Sequence, residues 1–339
     1  MRVWELQDNW GIDHLKLLDR PEPGPPGPGQ VAVRLRAASL NYRDLSTLGG
    51  GGREPDGVRL IPLSDAAGDV IAVGEGVTRV KVGDRVCPTF FQEWFTGSPT
   101  ARNRARSLGS LVEPGVAQDV VVLSQDGVTA IPDHMSYLEA ATLPCAALTA
   151  WRAVKVETDV QAGKSVLLEG TGGVSIFALQ FAKAFGATTI ITSSSDEKLE
   201  RAKSLGADHL INYRETPDWG RKARELAGGL GVDCVVEVGG AGTIEQAVAA
   251  AAVGGDVMVI GSLGGASQIT LPQLIGKNLH VHGISVGSRT MFEAMSAAMS
   301  EHQIGPVIDK VYAFAELPDA LRAMKAGEHF GKICIDYAQ

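Results

Sequence analysis

A chain of 339 residues has room for two cores, since single cores stop growing near about 250–300 residues. Its 45% hydrophobic and 21% charged residues are ordinary for a soluble globular protein. The net charge of −8 argues against a general affinity for nucleic acid or anionic membrane, and no apolar run approaches the roughly 20 residues that span a bilayer. Met1–Trp10 lacks a basic start followed by an apolar stretch, so no signal peptide is expected and the expected location is cytoplasmic. The four cysteines, Cys87, Cys145, Cys234 and Cys334, contain no C-x-x-C pair. Cys234 and Cys334 sit in apolar runs and read as small core residues.

The first part of the chain reads as β-rich. Short alternating runs such as Gln30–Ala37 and Asp69–Val73 are separated by turn clusters. Pro21–Gly29 is a Pro/Gly-rich connector that suits neither a helix nor a central strand. Val73-Gly74-Glu75-Gly76-Val77 and Val82-Gly83-Asp84-Arg85-Val86 predict tight turns in a compact β-barrel. The pattern changes near Tyr137, where 137–154 is apolar enough for helical segments interrupted at Pro144. From Ser165 onward, buried strands alternate with amphipathic helices. Strands are predicted over 165–169, 188–192, 210–212, 232–238, 256–261 and 280–285, with helices over 174–185, 196–205, 221–226 and 243–252. Such alternation predicts a doubly wound parallel sheet with helices on both faces. A helix over 291–301 follows. The closing run 332–337 is a short strand expected to return to the N-terminal domain. The expected division is residues 1–125 completed by 288–339, around a second domain of residues 126–287.

The sharpest local signal is the turn Gly170-Thr171-Gly172-Gly173-Val174-Ser175 between a predicted strand and a predicted helix. Glycines there let a pyrophosphate approach the backbone, and the helix N-terminus supplies N–H donors. Ser175 stands where the usual third glycine would be. The second strand ends in Ser193-Ser194-Ser195-Asp196, followed by Lys198. An NAD-binding fold usually places a carboxylate there for the ribose 2′-hydroxyl. Hydroxyls with an ammonium suit a 2′-phosphate, so NADPH is expected over NADH. On the other reading, the serines cap the next helix and Asp196 leaves NADH open. Tyr213 is either an adenine-side wall or a half-buried packing residue. The strand-end turns at Gly239, at Gly261 with Leu263, and at Ser285 lie at the carboxyl edge of the predicted sheet, where such folds bind ligands.

Together Asn41-Tyr42-Arg43-Asp44, Ser64-Asp65-Ala66-Ala67-Gly68, Val80–Val86, Leu143–Trp151, the Gly170–Ser175 turn and Phe330-Gly331-Lys332 resemble the medium-chain dehydrogenase/reductases. Within them, the likeness is to the quinone oxidoreductase-like, zinc-type alcohol dehydrogenase-like branch. The resemblance covers essentially the whole chain. It implies an α/β fold, with a GroES-like β-barrel catalytic domain and a doubly wound Rossmann domain built on a six-stranded parallel sheet. It also implies homodimers that pair Rossmann edge strands, here around 281–285. Thr149 and Lys332 match positions that approach the cofactor in similar proteins, and a surface lysine is the alternative for Lys332.

The resemblance also shows what is missing. Zinc members carry a catalytic cysteine where this chain has Asn41, and a Gly-His-Glu motif where it has Ser64 and Asp65. Only Cys145 survives of the three ligand positions, and the stretch 90–110 lacks the four cysteines of the structural zinc lobe. A catalytic zinc takes about three protein ligands, so no metal is expected. Asn41 and Tyr42 are the catalytic candidates. Arg43 and Asp65 have an ion pair as their alternative role, and Asp44 a helix cap. The run Phe90-Phe91-Gln92-Glu93-Trp94-Phe95 is either an apolar wall against the substrate, chiefly through Phe91 and Trp94, or a plug under a long loop. The function expected is an NADPH-dependent, zinc-independent reductase of quinones, enones or enals. The alternatives are alcohol or aldehyde oxidation and a non-catalytic NADPH-binding protein. No nucleic-acid or membrane partner is expected.

Overall fold

The computed structural model describes residues 1–54, 57–261, 265 and 268–339. The chain divides into two compact units, Met1–Leu148 with Val286–Gln339, and Thr149–Ser285. The first is discontinuous, and the helical stretch before Thr149 belongs to it.

Its strands are β1 (Arg2–Gln7), β2 (Leu15–Asp19), β3 (Gln30–Ser39), β4 (Arg59–Leu60), β5 (Asp65–Val73), β6 (Arg85–Pro88), β7 (Val120–Ser124) and β8 (Val128–Ala130). β3 is the spine: it pairs antiparallel with β5 over nearly its whole length and with β7 beside it. Adjacent residues of β3, Val31 with Ala32 and Ala37 with Ala38, are buried alike, so both faces are covered there and the simple in–out alternation is lost. The connector 20–29 stays outside regular structure, as its prolines require.

The second unit holds β9 (Ser165–Glu169), β10 (Thr188–Ser193), β11 (His209–Asn212), β12 (Val232–Glu237), β13 (Ala251–Val259) and β14 (His280–Gly283). All pair in parallel, in the order β11-β10-β9-β12-β13-β14. The order reverses between β10–β9 and β9–β12, which makes the carboxyl end of β9 the switch point of a doubly wound sheet. Helices Gly173–Ala184, Asp196–Ser204, Trp219–Leu226 and Ile244–Ala250 connect the strands. Each predicted strand and helix of this unit is present, with ends shifted by a few residues. β13 starts at Ala251 because that residue pairs with Val232 before the irregular Gly254-Gly255 step. Helix Leu271–Lys277 is not among the predicted elements; its proline stands in the first turn, where a helix tolerates it.

The chain then returns to the first unit through helix Arg289–Glu301, β15 (Ile308–Ala313), helix Leu317–Ala326 and β16 (Lys332–Asp336). β16 pairs antiparallel with β3, so the closing strand joins the N-terminal sheet as its sequence suggested. β15 and the helix after it add to what the sequence reading found. That helix buries Leu317, Ala320, Leu321 and Met324, an i, i+3, i+4, i+7 stripe. Two polar tethers fix this return. Trp4 Nε1 donates to the Phe314 carbonyl at 2.8 Å, and the buried Tyr337 hydroxyl donates to the Val116 carbonyl at 2.5 Å. Tyr337→Phe removes one of two donors to that carbonyl, the Gln118 N–H remaining at 2.7 Å, and should lower unfolding free energy by about 0.5–1.5 kcal/mol in chemical denaturation, with the fold retained.

Candidate active site

In the second unit the strand ends gather the residues expected to bind the nucleotide along one edge of the sheet. Gly170 follows β9 with φ +69, a conformation that disfavours a side chain. Gly172 caps helix Gly173–Ala184, whose first-turn N–H groups, including those of Gly173 and Val174, lack partners within the helix. Ser175 donates from Oγ to the Glu169 carbonyl at 2.6 Å, so the residue that replaces the third glycine ties helix to strand. Gly170 N donates to Thr192 Oγ1 at 3.3 Å, linking the turn to β10.

At the end of β10, Ser193 Oγ accepts from Ser195 N, and Ser195 caps the helix that carries Lys198. Ser194 and Lys198 are half-buried there. Asp196, the nearest carboxylate, accepts from Asn212 Nδ2 at 2.8 Å. Tyr213 follows β11, is partly exposed, and donates its N–H to the Ser193 carbonyl. Gly239 follows β12. A Cβ on Gly261 would lie 1.8 Å from the Val238 carbonyl, so only glycine fits there. Ser285 ends the unit past β14, and Thr149 is buried on the helix that begins it. Leu263 lies outside the described residues.

Beneath this edge sit two acids that the sequence reading did not single out. Glu169 and Glu237 close adjacent strands one step past the paired residues Leu168 and Val236, and both are buried. Oε1 of Glu237 accepts from Gly239 N (2.9 Å), Gly240 N (2.6 Å) and Thr243 Oγ1. Neither oxygen of Glu169 receives a donor. Burial, then the neighbouring Glu237, pushes the Glu169 carboxyl well above its ordinary value. A carboxylic acid ending an otherwise apolar parallel strand, twice over, was the available signal.

In the first unit a polar cluster occupies the positions that bind zinc in the family's metal-bearing members. Asn41 caps helix Tyr42–Leu48, with its N–H donating to Asp44 Oδ2 at 2.8 Å. Lys332, only 3% exposed, donates from Nζ to the Leu40 carbonyl, and to Asn41 Oδ1 at 2.7 Å. The Asn41 Nδ2 amide is buried with no acceptor in hydrogen-bond geometry, although the Asn41 side chain is near enough to Asp65 to help hold that carboxyl down. Asp65 accepts from Ser64 Oγ at 2.7 Å and from Cys145 N at 2.9 Å. Burial raises the Asp65 carboxyl, against the pull of the Lys332 ammonium, and raises that of Asp44 to about 6 against the pull of Arg43. Desolvation, then Asp65, holds the Cys145 thiol above its ordinary range, so it is no ready thiolate.

The ion pair offered for Arg43 and Asp65 is not the one seen: Arg43 approaches Asp44 at 3.5 Å, donates to the Leu108 carbonyl and lies over Phe90. Asp44 caps its helix as expected. Tyr42 is 55% exposed. Phe91 and Trp94 are interior residues. Trp94 has 0% of its surface exposed, its Nε1 donates to the Gly97 carbonyl, and its ring packs 5.8 Å from Phe91. This is the packing of a plug, because a side chain without surface offers a substrate nothing to touch.

The donor set does not fit a catalytic zinc. Asn41 Oδ1 already faces an ammonium, the Ser64 hydroxyl is committed to Asp65, and the lone thiol is protonated. A nicotinamide dinucleotide does fit the second unit's edge, where glycines clear the backbone and a twelve-residue helix starts at the turn.

Glu169 carries a consequence for stability. It stays protonated in the fold while an unfolded glutamate ionises around its ordinary 4.5, so stability declines as pH rises past that value. The slope is at most about 1.4 kcal/mol per pH unit. Glu169→Gln should match the wild-type melting temperature near about pH 4 and exceed it near about pH 7 in thermal melts.

Comparison with known proteins agrees with this architecture. Residues 27–133 match the alcohol dehydrogenase GroES-like domain, and residues 173–301 match the zinc-binding dehydrogenase family. A zinc-type alcohol dehydrogenase-like protein of Schizosaccharomyces pombe is 42% identical over 334 residues, covering 96% of both chains. An alcohol dehydrogenase of Geobacillus stearothermophilus is 30% identical, covering 91% of this chain and 92% of its own. Among solved structures, one from Sinorhizobium meliloti 1021, described as an alcohol dehydrogenase, superposes with a TM-score of 0.90 at 41% identity, covering 99% of this chain and 100% of that one. This chain belongs to the medium-chain dehydrogenase/reductase family of NAD(P)-dependent oxidoreductases.

Proposed function

We propose that the protein is an NADPH-dependent, zinc-independent reductase of activated carbonyls such as quinones, enones and enals. The observation that carries this reading is the bond from Lys332 Nζ to Asn41 Oδ1, at a position where zinc-bearing relatives hold their metal. An ammonium there repels a cation and supplies a fixed positive charge of its own. Asn41 Nδ2, a buried donor with no acceptor, is the group proposed to bond the carbonyl oxygen of the acceptor. An unpaired buried donor costs about 1–3 kcal/mol, which a substrate oxygen recovers on binding. Tyr42 is proposed as the proton source. Gly170, Gly172, Gly173 and Val174 would hold the pyrophosphate, and Ser193, Ser194 and Lys198 the 2′-phosphate. A bound reduced nicotinamide supplies the hydride.

Amide and ammonium groups polarise a carbonyl less strongly than a Lewis acid does. Conjugated acceptors fit this, because the charge that develops on their oxygen is delocalised. A solved mycobacterial relative, 25% identical, is complexed with NADPH, which supports the nucleotide assignment. Oxidation of alcohols is the second reading, favoured by the zinc-type and alcohol dehydrogenase names of the relatives.

Titration with NADPH and NADH, followed by nicotinamide fluorescence, should show NADPH bound about tenfold or more tightly, and Lys198→Glu should erase the preference. Turnover of a quinone or an enone by chelator-treated protein should continue. NADH preference would overturn the cofactor assignment, and activity restored only by zinc would overturn the metal-free one. Asn41→Ala should lower kcat about 100-fold or more with a smaller change in KM, the pattern of a donor used in the transition state.

A further inference from the structure

We propose that Asp256, His280 and His282 form a binding site for a divalent transition metal of the zinc class on β13 and β14 of the Rossmann sheet. The inference does not depend on the reading of substrate or nucleotide given above.

The backbone builds the site. His280 and His282 are two apart on β14, so their imidazoles leave the same face of the sheet. The parallel register pairs Asp256 of β13 directly with His280, on that same face. One ligand atom from each of the three residues lies within 4.8 Å of the others. Asp256 Oδ1 is 2.9 Å from His282 Nε2 and 3.3 Å from His280 Nδ1. Metal–ligand bonds of about 2.0–2.1 Å in a tetrahedron put ligand atoms about 3.3 Å apart. The observed spacings therefore need only small side-chain rotations, and no movement of strands already held by a ladder of four paired residues.

The donor types agree. Two imidazoles with one carboxylate suit zinc, cobalt, nickel or copper and are a poor set for calcium or magnesium. A fourth group stands beside them: Glu157 Oε2 is 3.8 Å from His282 Nδ1, while its other oxygen is held by Arg152 at 2.8 Å. A carboxylate behind a ligating imidazole fixes the ring and raises its basicity. When the metal enters, the two imidazoles present neutral ring nitrogens and any proton they carry goes to solvent. The site is reachable, since His280 is 64% exposed, His282 30% and Asp256 21%. Asp256 lies three residues before the end of β13, about 10 Å of strand short of the carboxyl edge that carries the nucleotide turns.

The test is titration of the full-length, chelator-treated protein with Co²⁺, read by visible absorption, and with Zn²⁺, read by calorimetry. One ion per chain should bind, with Co²⁺ bands of four- or five-coordinate geometry. His280→Ala and His282→Ala should each weaken binding about tenfold or more, their combination should abolish it, and Glu157→Gln should weaken it about tenfold. Cys145→Ser should leave it unchanged. Because His280 is a surface side chain, its alanine variant keeps the fold, and its NADPH titration should match wild type. No Co²⁺ binding by wild type at about 100-fold protein excess over a micromolar affinity scale, or equal binding by the double-alanine variant, overturns the proposal.

Discussion

The first unit is organised around one buried cation. Lys332 begins the last strand of the chain, yet its ammonium ends at the Leu40 carbonyl and at Asn41 Oδ1. A lone buried ammonium is among the costliest groups a protein interior holds. Two oxygen acceptors and the nearby Asp65 carboxylate offset that cost, and the offset exists only if β16 lies against β3. The bond therefore joins the end of the sequence to its fortieth residue. It also fixes the face of Asn41 that accepts, leaving the amide nitrogen without an acceptor in hydrogen-bond geometry. The same contact that closes the sheet orients the side chain assigned to the substrate.

The second unit solves a related problem with a proton instead of a counter-ion. Glu237 gathers two backbone N–H groups and a hydroxyl at one oxygen, which holds the Val238-Gly239-Gly240 turn in place. Glu169, beside it at the end of β9, has no such donors, and two like charges so close in a dry interior are unfavourable. Keeping Glu169 neutral resolves this. The ends of β9 and β12 are thus set by one carboxyl that gathers donors and one that holds its proton more tightly than usual. The turn between β9 and its helix is held from a third side by Ser175, whose hydroxyl bonds the Glu169 carbonyl.

Much of this was legible in the sequence because parallel strands buried on both faces read as apolar runs, and helices between them show caps and stripes. Ser165–Glu169 was placed to the residue, and the return of the closing strand was foreseen. The glycine turns at the strand ends were legible because they are local chemistry. What could not be read were interactions that depend on distant partners. Nothing around Arg43 indicates that it meets Asp44 and Leu108 instead of Asp65. Aromatic residues 90–95 look alike as wall or plug, and only packing decides that Trp94 has no surface. A Lys after a Phe-Gly pair reads as a cofactor contact or a surface cation, and its burial shows only when β16 is laid on β3.

Loss of zinc ligands alone leaves an incomplete metal centre. Replacing a thiolate by Asn41 and an imidazole by Ser64 removes donors, but an open polar hole would fill with water. Here the space is chemically occupied: the amide takes the ammonium, the serine takes the aspartate, and the aspartate takes the Cys145 N–H. The Asn41 carbonyl oxygen, the Ser64 hydroxyl and the Asp65 carboxyl thus each have a protein partner, whereas the Asn41 amide nitrogen is buried without an acceptor in hydrogen-bond geometry. A buried amide donor without an acceptor in hydrogen-bond geometry is suited to a carbonyl oxygen. On the proposed metal-free reading, such a site favours conjugated carbonyls, since a donor hydrogen bond stabilises a delocalised oxyanion sufficiently and a localised alkoxide poorly.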